Sequence, residues 1–136
     1  MAEPFVWTKV DETRRGLLVS AFEGGSNYWY TIVDHEFPQG VTYDDFREGG
    51  RFANPDDYWH PETLIPFHPG CATLIAADGL DEGKQFRLDH ERLVRGWDLM
   101  KEKYPRHFAD VIAENDDAIT ADVYLQCCLF GELIFG

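Results

Sequence analysis

The chain has 136 residues, 25 acids against 12 bases and a formal charge of −13. That length supports one domain with a real core, and a content of 44% hydrophobic and 15% aromatic residues is too apolar for disorder. The negative excess disfavours unassisted binding to nucleic acid or an anionic membrane, both polyanions. It suits either plain solubility or a basic partner.

Thr8 and Asp11 form an N-terminal helix signal, with the acid near the positive end of the dipole. Val10, Arg14, Leu17, Leu18, Ala21 and Phe22 follow at helical spacing, which predicts a helix over 10–22 stopped by Gly24 or Gly25. Gly16 inside it costs about 1 kcal/mol relative to Ala. The aromatic and β-branched run 28–33 predicts a strand. Residues 34–69, with their prolines and glycines and eight acids against Arg47 and Arg51, read as a long irregular segment with one short helix near Tyr43 to Phe46. Its aromatics, Tyr58 and Trp59 among them, suggest that it packs onto the body.

A hairpin follows, from strands 71–76 and 84–88 around the Asp78–Gly83 turn. Asp89 caps a helix over 90–103 whose stripe is Leu93, Trp97, Met100 and Tyr104. Pro105 opens a short helix over 106–113. A last helix, 118–131, is apolar nearly all round and is expected to be central and buried. The fold expected is α+β: one domain over 1–136, with a small antiparallel sheet packed against about four helices.

The densest local feature is Gly24-Gly25-Ser26-Asn27-Tyr28-Trp29, a double glycine followed by aromatics with polar tips. It suits a ligand-facing turn or a structural corner. Asp122 and Gln126 share one face of the last helix. They form either its solvent edge, the expected case, or a buried pair that must be hydrogen-bonded.

No metal-ligand spacing links the five histidines, and no GxSxG, Walker or dinucleotide pattern is present, so no cofactor, metal or catalytic residue is assigned. Cys71, Cys127 and Cys128 are odd in number and unpaired in spacing, as in reduced intracellular proteins. The start, Met1-Ala2-Glu3-Pro4, shows no signal peptide, and the apolar C-terminal run is too short to cross a membrane. Acids cluster in two fields. One holds Asp34, Glu36, Asp44, Asp45, Glu48, Asp56, Asp57 and Glu62. The other holds Asp110, Glu114, Asp116, Asp117 and Asp122. Asp116 and Asp117 sit where the last helix begins and are read as acids of that helix start, while for the whole excess either a solvated face or a surface for a basic partner accounts for it.

Two segments, 22–29 and 117–136 with its Asp-x-x-Thr-Ala-Asp-Val-x-Leu-Gln and Phe-Gly-Glu runs, resemble a group of small bacteriophage-encoded proteins of undescribed function. The resemblance implies phage or prophage origin and action in a bacterial cytoplasm, with no catalytic residues to carry over. Three functions follow as expectations. The first is a non-enzymatic binder that inhibits a host defence factor by occluding its basic surface. The second is a binder of a small nucleotide-like ligand at residues 24–29. The third is a hydrolase built on Asp122, Gln126 and a histidine.

Overall fold

The Thr8 side chain accepts the Asp11 N–H at 3.1 Å and so starts helix α1, Lys9–Ser20. A computed structural model describes residues 5–53, 61–80 and 83–136. After α1 the chain widens into a π-helical turn, Ala21–Gly25, and enters strand β1, Tyr30–Glu36. Strand β2 is Ala72–Ala77 and strand β3 is Gln85–Leu88. Three helices follow: α2, His90–Lys103; α3, Pro105–Ile112; and α4, Ala118–Phe130. Asp89 and Asp117 cap α2 and α4 by accepting the N–H groups of Arg92 and Thr120, both at 2.9 Å. Gly131, at φ 80°, ends α4 in the left-handed conformation that glycine adopts without cost.

The sheet is antiparallel with order β1-β2-β3. Tyr30 lies opposite Ala77 and Glu36 opposite Ala72, with a bulge that leaves Val33 unpaired and exposed. The expected irregular segment therefore begins later than residue 34. The polar run Asp34-His35-Glu36 continues the strand because β1 is an edge, where polar side chains find water or a partner. His35 Nδ1 meets Thr73 Oγ1 at 3.2 Å, and Glu36 pairs with Arg87 of β3. Beyond it, Tyr43–Phe46 forms the expected short helix as a 3-10 turn, and two further 3-10 turns occur at Pro61–Thr63 and Ile65–Phe67. Val41, Phe46, Phe52, Leu64, Ile65 and Cys71 close into a cluster of their own. That burial holds the segment down.

Every residue from Thr120 to Leu129 is buried, which makes α4 the centre of the main core. Its near-continuous apolar sequence needs cover on all sides, and α1, α2, α3 and β3 supply it. A close approach occurs at Gly96 of α2, where a Cβ would stand 2.8 Å from both the Cα and the backbone nitrogen of Cys128. Only a glycine lets the two backbones touch there.

Candidate functional site

The double glycine does two different things. A Cβ on Gly25 would fall 2.3 Å from the Ala118 carbonyl oxygen, whereas a Cβ on Gly24 would meet no atom within 4 Å. Gly25 therefore lets the turn after α1 rest directly on the first turn of α4. This brings Ser26, Tyr28 and Trp29 over Asp122.

The Asp122 carboxylate accepts four side-chain hydrogen bonds. Ser26 Oγ and Trp29 Nε1 both donate to Oδ1 at 2.7 Å. Tyr28 OH donates to Oδ2 at 2.7 Å, and Gln126 Nε2 donates to the same oxygen at 3.1 Å. Gln126 also clamps the C-terminal tail. Its Oε1 accepts the N–H groups of Ile134 and Phe135 at 2.8 Å, and its Nε2 donates to the Phe135 carbonyl at 3.1 Å. Phe135 in turn stacks on Trp29, with centroids 5.2 Å apart and an interplanar angle of 10°. One carboxylate and one amide thus join the turn after α1, the middle of α4 and the tail.

The polar pair is not a solvent edge. Asp122 is 8% exposed and Gln126 is fully buried. The helix around them is covered on every side, so the pair lies inside and the required partners are present. Trp29 cannot stack on a flat ligand, because Phe135 occupies its face and it is 1% exposed, whereas the Tyr28 ring stays at the surface. Ser26 is fully buried with its hydroxyl proton committed to Asp122, which leaves no accessible nucleophile at that position. Tyr28 and Asn27 remain at the surface, with Gly24 beside them. Burial of its hydroxyl, together with the bond to Asp122, pushes Tyr28 up to about 12, so it remains a donor through neutral pH.

A second buried carboxylate, Asp11, was visible in sequence only as a first-turn acid. It is held by Thr8, by Arg14 at 2.8 Å and by His90 at 3.0 Å. Burial raises its pKa, but hydrogen bonds from His90, Thr8 and Arg14 outweigh that and draw it below the usual carboxylate range. His68, read only as a loop histidine, is also buried. Its Nε2 accepts the Phe5 N–H at 3.1 Å, and its ring lies 4.2 Å from that of Phe52. Burial pulls its pKa down to about 4. Burial also raises all three thiols, Cys71 to about 11 and Cys127 to about 12, with Cys128 higher still. Among the described residues no cluster of three or more His, Cys, Asp or Glu could hold a metal ion, and no helix is long and apolar enough to cross a membrane.

The acidic candidates divide. Asp45 belongs to the structure: it accepts the Thr42 N–H and a two-pronged contact from Arg51 at 2.9 and 2.8 Å. The Arg51 guanidinium holds it down at about 2. Asp44, at 81% side-chain exposure, makes a long contact to Arg47 at 3.3 Å. Glu48, Asp110 and Glu114 are exposed. Asp56, Asp57, Tyr58 and Trp59 lie outside the described residues. Comparison with protein-family models, curated proteins and solved structures found no match to this chain.

Proposed function

We propose that this chain is a non-enzymatic binding protein that meets a basic surface on a partner through its exposed carboxylates. One observation carries the reading. Among the described residues, the two buried carboxylates, Asp11 and Asp122, are fully engaged in holding segments together, while Asp44, Glu48, Asp110, Glu114 and Asp116 remain exposed. Like charges left on the surface raise the cost of folding, and a cationic partner offsets that cost while gaining speed of encounter. Ser26 and the three thiols serve the fold, since the thiols are buried and raised and Ser26 is bonded to Asp122. The resemblance to small phage-encoded proteins directs the proposal to a bacterial host factor, with inhibition of a host defence protein as its form.

The test is capture from bacterial lysate on the immobilised protein, followed by elution in rising salt. A basic protein should be retained at low salt and released as the Debye length shrinks from about 10 Å at 0.1 M to about 3 Å at 1 M. Capture of no basic protein, or retention indifferent to salt, contradicts the reading.

A further inference from the structure

A groove of about 640 Å³ runs between α1, α2 and the turn from α3 to α4. Leu17, Trp97 and Val111 line its inner part, and Val10 and Ile112 flank it at 41% and 65% exposure. Glu114 and Asp116 also line it, as do Lys9 and Thr13 of α1. Two residues of this groove are poor choices for folding. Gly16 sits inside α1, where alanine is the better helix former, and a Cβ there would meet no atom within 4 Å. Packing inside the molecule therefore does not ask for a glycine. Glu114 has φ 59°, the left-handed position just past α3, where the Asn115 N–H closes the turn on the Asp110 carbonyl at 2.8 Å. Glycine is the usual residue there. A glycine thus stands where a side chain would help, and a glutamate where a glycine would. Both face the same groove. The first leaves the helix backbone bare, and the second adds a carboxylate beside Asp116.

We propose that this groove seats a basic amphipathic helix of the partner, with an apolar side chain lying over Gly16 between Val10 and Ile112 and a Lys or Arg against Glu114 and Asp116. This deepens the reading given above and rests on it. The occupant follows from charge and shape: the wall mixes apolar and polar surface, its two acids outnumber its one base, Lys9, and close approach to the α1 backbone is open.

The probe is a synthetic helical peptide of leucine and lysine at amphipathic spacing, with a leucine and glutamate counterpart as control. Calorimetry at low salt should show binding of the lysine peptide and none of the glutamate one. Gly16→Leu fills the groove and should weaken binding by about tenfold or more, the worth of one buried anchor, with the melting temperature unchanged or higher. Glu114→Lys, an exposed change that leaves packing untouched, should weaken binding several-fold, and it decides the matter if Gly16→Leu fails to fold. Equal binding by the wild type and both variants overturns the groove while leaving the acidic-surface reading standing. Absence of any binding by the wild type at low salt overturns both.

Discussion

Trp29 donates its indole N–H to Asp122 Oδ1 at 2.7 Å, joining the turn after α1 to the middle of α4 across 93 positions of sequence. Ser26 shares that oxygen, and Gln126 and Tyr28 share the other. Asp122→Ala should therefore destabilise the protein by about 3–5 kcal/mol, because Ser26, Trp29 and Gln126 lose an acceptor away from water. Asp122→Asn should cost less, about 2–3 kcal/mol, since one acceptor oxygen survives while an amide N–H2 now faces donors. Urea unfolding of both variants measures this. Full stability in Asp122→Ala with loss of biological effect would instead place Asp122 in a reaction.

The adjacent glycines should respond oppositely to alanine. Gly25→Ala drives a methyl to within 2.3 Å of the Ala118 carbonyl and should cost about 1–3 kcal/mol. Gly24→Ala meets no atom within 4 Å and should be neutral, or stabilising by about 0.4–1 kcal/mol through a less disordered unfolded chain. Melting temperatures of the two variants separate a packing constraint from a merely flexible turn.

His68 should make stability depend on pH below neutrality. Its folded pKa is about 4, against about 6.5 for an unfolded histidine. Between those values the unfolded chain binds a proton that the folded chain refuses, so stability falls as pH drops from about 6.5 towards about 4 and is unaffected by this group above that range. The loss should approach about 3 kcal/mol at the lower end. In His68→Gln the difference in unfolding free energy between neutral and mildly acid pH should shrink by about that amount. The wild-type ring, followed by NMR, should not titrate until near pH 4. A titration near its ordinary value would show that the ring is reached by water.

The thiols should be inert in the folded protein. Cys71, Cys127 and Cys128 are buried, and burial raises each of them. An aromatic disulfide reagent at mildly alkaline pH should modify none of the three before unfolding and all three in denaturant. Rapid modification of one thiol under native conditions would reveal an opening that exposes it.

Much of the architecture was legible because the relevant signals are local. Asp89 and Asp117 cap the helices they precede, Pro105 opens α3, and the nearly all-round apolar sequence of α4 marks it as central. The Asp122 site was half legible. Spacing placed Asp122 and Gln126 on one face and singled out residues 24–29. That the two sets meet depends on Gly25 packing against Ala118, a contact between distant parts of the chain that no local pattern encodes. The burial of Asp11 and His68 was hidden for the same reason. Their partners, His90 and the Phe5 backbone, lie 79 and 63 positions away. For Asp11 the Thr8 spacing hinted at a capping interaction but not at a buried network.

The claim that surface carboxylates bind a cationic partner is tested most directly by titrating the captured partner into the wild type and into Asp44→Asn/Glu48→Gln/Asp110→Asn over a range of salt. These three side chains are exposed, so the variant should keep the wild-type melting temperature. The predicted result is an affinity for the wild type that falls steeply as salt rises, and a weaker, shallower dependence for the variant. An affinity that ignores both salt and the three substitutions would contradict it.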